Sequence, residues 1–203
     1  MEENMIITIS RQYGSGGSQV AKILAERMGV WCYARDRLTI AAERIGNEEL
    51  TEDTINDLNY KRNDVASAGI TGVMGMGNIP IYNQMFLEQA KIIRKLANYG
   101  SAVFLGRCAD YILKDIKNCT SVYLYADREF RKNRVKEIYG SNAEIMDKEE
   151  KNRADYYNYY TGNRWGDINN YDFAINTSKV SFEEAADLIY RFAKDKQKNL
   201  KDR

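Results

Sequence analysis

The chain contains no histidine, one proline and three cysteines among 203 residues, and each scarcity removes a class of chemistry. Without imidazole there is no Ser-His-Asp or Cys-His constellation and no histidine-ligated metal, which favours chemistry done by positioning and charge neutralisation. Cys32, Cys108 and Cys119 are odd in number and lack metal-like spacing, so the expectation is reduced thiols in a cytoplasmic protein. Nothing at the N-terminus resembles a signal peptide. No apolar run approaches the roughly 20 residues needed to cross a bilayer, so no membrane partner is expected. Excess charge is missing too: 30 basic residues face 29 acidic ones. A broad nucleic-acid or anionic-membrane surface is therefore not implied, and any anion site must be local.

What is present begins with Met5 to Met28, MIITISRQYGSGGSQVAKILAERM. Met5 to Ile9 is a short apolar run that stops at Ser10 and a glycine cluster, as a buried strand does. After it, Val20, Ala21, Ile23, Leu24, Ala25 and Met28 recur at helical spacing. A strand, a glycine turn and a helix form a unit with one well-understood use. Glycines let the backbone approach a phosphate, and the unpaired amides and positive end of the helix face the anion. Gly14, Ser15, Gly16, Gly17 and Ser18 are thus the candidate nucleotide-phosphate site. The usual pattern is G-x-x-x-x-G-K-[ST], in which the lysine reaches the phosphates and the hydroxyl holds magnesium. Here Ser18 keeps the hydroxyl, but Gly17 stands for the lysine and Arg11 for the first glycine. Arg11 is a cation at the mouth of the loop that can replace the missing charge, as a planar fork rather than a point charge. The competing reading is an ordinary glycine-rich turn into a helix.

The 44% hydrophobic content suits one domain with a small inserted lobe. Strands are expected at Val30 to Tyr33, Ser101 to Leu105, Ser121 to Tyr125 and Tyr171 to Asn176. Helices are expected at Leu38 to Ile45, Ile81 to Asn98, Tyr111 to Ile116, Asp127 to Tyr139 and Glu144 to Tyr160. Ser181 and Glu184 form a capping box for a last helix through Phe192, after which the tail from Lys194 should fray. Between them, Ser67 to Pro80 is rich in glycine and methionine and reads as a mobile loop. Strands separated by helices imply right-handed crossovers and a mostly parallel sheet covered on both faces. Ligands sit at the carboxyl ends of such strands. That edge gathers Arg11, Arg35, Asp36, Arg37, Arg107, Asp110, Asp127 and Arg128.

Phosphoryl transfer needs in-line positioning and charge neutralisation by arginine, lysine and magnesium, with water excluded. Arg128, Arg131 and Arg134 recur at three-residue spacing on one helix, and Asp147 to Arg164 is a charged, weakly anchored segment suited to a lid. Its bland alternative is a solvated helix held by pairs such as Glu150 with Arg153. Asp36 either holds magnesium, orients an acceptor hydroxyl, or simply pairs with its neighbouring arginines. Tyr156, Tyr157, Tyr159 and Tyr160 are expected to pack rather than stack on a base.

ITISRQYGSGG, GRCADYIL, RADYYNYYTGNRWGD and YDFAINTSKVSFEEAADLI, spread from end to end, resemble the cytidylate kinase-like family of P-loop nucleoside-monophosphate kinases. The resemblance implies an α/β, three-layer P-loop NTPase-like fold with a five-stranded parallel sheet of order 2-3-1-4-5. It implies one kinase-like domain with core 1–36, 85–138 and 168–195, a monophosphate-binding insertion at about 37–84 and a helical lid at about 139–167. It also implies magnesium-dependent transfer of the γ-phosphate of ATP to a nucleoside monophosphate such as CMP or dCMP. Carried over by position, Gly14 to Ser18 hold the donor phosphates, with Ser18 at the metal. Arg131, Arg134 and Arg153 clamp phosphates, and Arg107 and Asp110 lie near the acceptor; beside this carry-over, the reading of the residues adds Arg11 to the catalytic cations and Asp36 and Arg37, at a strand end, to the candidate acceptor-side residues. Cytidylate kinases keep the loop lysine and follow the Gly-Arg pair with Asp, whereas this chain has Gly17 and Cys108 there. Two alternatives stay open: a nucleotide-binding or regulatory protein that lost catalysis, and a kinase acting on another small molecule. The expected partners are a nucleotide and a small-molecule acceptor, not nucleic acid. The methionine-rich insertion could either form a homodimer contact or fold back on its own chain.

Overall fold

A computed structural model describes residues 4–34, 38, 81–140 and 142–201 of the chain. Asp36, Arg37, most of the expected helix from Leu38 and the 67–80 segment lie outside the described residues. Five strands, β1 Ile6–Arg11, β2 Trp31–Tyr33, β3 Ala102–Leu105, β4 Cys119–Tyr125 and β5 Phe173–Asn176, form one parallel sheet in the order β2-β3-β1-β4-β5. This is the expected order. The helices are α1 Gly17–Met28, α2 Ile81–Tyr99, α3 Ala109–Ile112, α4 Arg128–Tyr139, α5 Ala143–Thr161 and α6 Phe182–Lys201. No helix among the described residues is long and apolar enough to cross a membrane.

The central strand β1 shows why the sheet is covered on both sides. Ile7 and Ile9 pack with Val20, Leu24, Ala185 and Ile189 of α1 and α6. Ile6 points the other way, to Ile93, Leu96, Ile112 and Tyr157 of α2, α3 and α5. Side chains alternate across a strand, so a run buried on both faces must be apolar at nearly every position. Each fully buried isoleucine contributes roughly 1.5–3 kcal/mol. Thr8 and Ser10, on the Ile6 side, are the buried polar exceptions and lead into the site.

Several boundaries shift by a few residues from the sequence expectation, and two of the shifts have an evident physical cause. Helix α6 does not fray at Lys194 but continues to Lys201. Lys196 Nζ donates to Cys119 O and to Asp172 Oδ2, both at 2.7 Å, and Gln197 Nε2 donates to Asn4 O at 3.2 Å. These ties to the sheet's edge are tertiary and leave no local trace. Helix α3 starts two residues earlier than expected, because Gly106, Arg107 and Cys108 have φ of 72°, 62° and 54° and turn the chain at once. Ala109 N then donates to Gly106 O at 3.2 Å. The capping box holds: Glu184 N donates to Ser181 Oγ at 3.1 Å and Ser181 N to Glu184 Oε2 at 2.8 Å.

Candidate active site

The glycine turn after β1 leaves a nest of main-chain amides. Gly14 and Gly16 have φ of 84° and 81°, left-handed values that glycine adopts freely. The turn is held from below: Ser15 is fully buried, its hydroxyl donates to Gln12 O at 2.9 Å, and its carbonyl accepts from Thr177 Oγ1 at 2.7 Å. Ser15 N also donates to Gln12 O at 3.3 Å, so Ser15, contrary to the sequence expectation, braces the turn from within and does not line the pocket. Among the described residues, the amides of Gly14, Gly16, Gly17 and Ser18 have no acceptor in the protein. Four unpaired donors at a helix start are what an anion requires. The Ser18 hydroxyl is exposed at the rim of the same pocket.

Arg11 lies where a loop lysine would begin. A Cβ added at Gly17 would stand 2.6 Å from Arg11 Cγ and 2.7 Å from its Cβ, so the Arg11 stem fills the space of the missing side chain. Its guanidinium reaches on to Gly106, where a Cβ would overlap Nη1. Burial, Arg153 and Arg107 press the Arg11 pKa well below the usual arginine range. A guanidinium stays protonated regardless, so this penalty amounts to a demand for an anion.

Two cavities meet at Arg11 and Arg153. The loop pocket, about 30 Å³, is lined by Gly14, Gly16, Gly17, Ser18 and Arg134 with those two arginines. A cleft of about 170 Å³ lies beside it, walled by Ser10, Arg107, Cys108, Glu149, Tyr156 and Trp165. A water takes about 10–15 Å³ by such a measure, so the first admits an anion-sized group and the second a small organic molecule.

The three arginines of α4 do not act as one face. Arg128 forms a bidentate pair with Asp147 of α5, at 2.8 and 2.6 Å. Arg131 is buried and donates to Ala126 O at 3.2 Å and Tyr13 O at 3.3 Å, holding the loop's backbone rather than lining either cavity. Arg134 lines the loop pocket, its guanidinium 4.6 Å from the Phe182 ring centre and its Nε buried without a partner. Phe182 in turn packs on Gly16, where a Cβ would overlap its ring.

Helix α5 closes over the loop. Arg153 Nη1 donates to Arg11 O at 3.0 Å, and its guanidinium stacks 5.0 Å from the Tyr13 ring centre. Glu150 does not pair with Arg153 as a local helix pair would. Its Oε2 accepts from Tyr13 N at 2.6 Å and its Oε1 from Trp165 Nε1 at 2.8 Å. Arg107 lines the larger cleft, while Asp110 lies beneath it, accepting from Ser10 Oγ at 3.2 Å and Tyr157 Oη at 2.7 Å. Burial raises the Asp110 pKa against these hydrogen bonds. Tyr156 Oη is buried with no partner in good geometry, beside Arg107 and Gln89, and burial lifts its pKa to about 12.

Sequence reasoning passed over Glu150, Trp165, Tyr156 and Tyr157 as site residues. Trp165 stands edge-on to Tyr123 and Tyr157, and Tyr160 stacks on Phe86, so the tyrosines pack as expected. The signal that could have marked Trp165 was a tryptophan between Arg164 and Gly166, at the end of a polar segment where an apolar ring needs a partner.

No curated protein matches the sequence significantly. Among solved structures, an uncharacterized protein from Eubacterium ventriosum is 29% identical with a TM-score of 0.71, over 94% of this chain and 98% of that one. A gluconokinase from Sinorhizobium meliloti is 15% identical with a TM-score of 0.54, over 96% and 97% of the two chains. A shikimate kinase from Bacteroides thetaiotaomicron is 13% identical with a TM-score of 0.52, over 95% and 98%. At those identities the two kinases show a shared fold, that of the P-loop kinases. Sequence kinship is closer to hand: residues 6–179, from β1 through the turn after β5, match the model of the cytidylate kinase-like family, and the chain belongs to that family.

Proposed function

We propose that the protein is a nucleotide-dependent phosphotransferase that moves the γ-phosphate of ATP to a small acceptor, with CMP or dCMP the first to test. The observation that supports this most is that Arg11 and Arg153 line both the anion nest and the neighbouring cleft. A phosphoryl group passing from one to the other would cross between two guanidiniums. Charge on its oxygens is what such a transfer needs neutralised, and little covalent chemistry is asked of the protein. Arg134 acts on the donor side. Arg131 acts through the loop backbone it holds. Arg107 faces the acceptor, Asp110 fixes the cleft floor, and Asp36 and Arg37 are the further acceptor-side residues of this reading.

Magnesium fits as a companion of the donor phosphates. Among the described residues no group of three or more acidic or thiol side chains could hold a metal. Ser18 would carry the ion with phosphate oxygens and water, the usual mode for magnesium, and the ion would neutralise further charge. Helix α5 and the segment to Asp167 serve as the lid that excludes water.

A second reading, a kinase for a hydroxyl-bearing small molecule, is favoured by Glu149 on the cleft wall. A carboxylate suits an alcohol acceptor better than a phosphate monoester, which it repels. Magnesium-dependent ATP consumption, measured by a coupled assay over nucleoside monophosphates and small anionic alcohols, decides between the two. Binding of ATP by calorimetry with no turnover on any acceptor identifies a catalytically impaired nucleotide binder. Absence of nucleotide binding overturns the proposal.

A further inference from the structure

Glu150 is an unexpected group to find on a phosphate loop. Its carboxylate takes the Tyr13 amide at 2.6 Å and the Trp165 indole N–H at 2.8 Å, both short, well-formed bonds. Tyr13 lines the loop pocket and Trp165 lines the cleft, so the carboxylate sits at the seam between them. The next amides along the loop, Gly14 and then Gly16 to Ser18, are unpaired among the described residues. Arg11 and Arg153 are both close enough to feel its charge. The protein thus places its own anion at the acceptor-side end of an anion nest, from a helix that also contacts Arg11 O through Arg153.

We propose that Glu150 is a positioning residue that makes the site sense the terminal phosphate of the donor: its carboxylate latches α5 to the loop through the Tyr13 amide while holding the Trp165 indole N–H of the segment after α5, and the γ-phosphate displaces it. Glu150 and the transferring phosphate are both anions seeking the same guanidiniums and the adjoining amides, and like charges do not share such a site. A nucleoside diphosphate, whose phosphates end within the nest, leaves the latch in place. A triphosphate releases it, freeing Glu150 and the Trp165 indole N–H and letting α5 reset over the acceptor. This rests on the donor-site reading above. It goes beyond that reading in assigning discrimination between di- and triphosphate to a lid carboxylate.

The test uses the full chain carrying Trp31→Phe, which removes an exposed indole outside the site and leaves Trp165 as the sole tryptophan reporter. A non-hydrolysable ATP analogue should shift Trp165 emission and ADP should not. Glu150→Gln keeps the side chain's size and acceptor oxygen but removes its charge. It should bind the ATP analogue about tenfold more tightly with ADP affinity unchanged, the order expected for one charge-assisted hydrogen bond no longer in competition. Equal responses of Trp165 to ATP analogue and ADP, or equal affinity changes for both in Glu150→Gln, overturn the latch. Should Glu150→Gln fail to fold, the Trp165 comparison in the Trp31→Phe protein decides alone. Should the native protein bind neither nucleotide, the donor-site reading fails. The latch is then judged by Trp165 emission without ligand, and identical spectra for Glu150 and Glu150→Gln proteins overturn it.

Discussion

Placing any side chain at position 17 should disable the site by evicting Arg11, even when that side chain restores the lysine of the usual loop. In Gly17→Ala the new Cβ stands 2.6 and 2.7 Å from Arg11 Cγ and Cβ, whereas ordinary contact begins at 3.4 Å. The atoms met are the stem of Arg11, not its flexible end, so the whole side chain must swing and carry its guanidinium out of the seam between the cavities. Losing one preorganised charge at a transition state costs about 10²–10³ in kcat, or about 2.7–4 kcal/mol. Stability should change far less. Gly to Ala within a helix gains about 0.5–1 kcal/mol, and the local overpacking loses about 1–3 kcal/mol. The net loss, at most about 2.5 kcal/mol, should lower Tm by no more than about 10 °C. Gly17→Lys should behave alike, with less activity than the native protein, because its ammonium arrives only as the guanidinium leaves. The assay is a double-mutant cycle of Gly17→Ala and Arg11→Ala, read by kcat in the coupled assay and by inorganic sulfate affinity in calorimetry. If both substitutions act through one guanidinium, the double variant is no worse than Arg11→Ala alone. Native-like kcat and sulfate affinity in Gly17→Ala, or additive losses in the double variant, refute the reasoning.

Arg131→Ala should lower thermal stability by about 1–3 kcal/mol in denaturant unfolding, since it leaves the carbonyls of Ala126 and Tyr13 without their buried donor. A phosphate clamp would instead lose affinity at unchanged stability. Asp110→Asn should be most costly in acid and least costly at neutral pH. Burial raises the folded pKa of Asp110 above its unfolded 3.8, so the native protein's stability from this group is full below about 3.8 and is lost as pH rises through the raised value. Melting temperatures of the two proteins from pH 4 to 7 should therefore converge as pH rises, and divergence would contradict the assignment. Ser181→Ala should cost about 1 kcal/mol with no change in nucleotide affinity, measured by chemical denaturation and calorimetry, because it removes one half of a reciprocal cap on α6.

The strands and most helices were legible because their cause is local. A run such as Ile6 to Ile9 suits a strand buried on both faces, and alternating strands and helices make its sheet parallel, while glycines at 14 and 16 permit the left-handed turn. The nest itself was equally legible, since unpaired amides at a helix start follow from backbone geometry. The division of labour among arginines was not. Arg131 and Arg134 are three residues apart on one helix, yet one is buried on the carbonyls of Ala126 and Tyr13 and the other lies over the Phe182 ring at the pocket, partners that only folding brings to α4. Glu150 and Arg153 satisfied a local pairing rule, yet each chose the loop once α5 was packed across it. The sequence by itself determined which segments become strands and helices and where the chain turns with its amides unpaired, because backbone conformation and hydrophobic periodicity are short-range properties. Only the tertiary structure decided which charged side chains gather at that turn, because a side chain's partner depends on which element folding brings within a few ångströms of it.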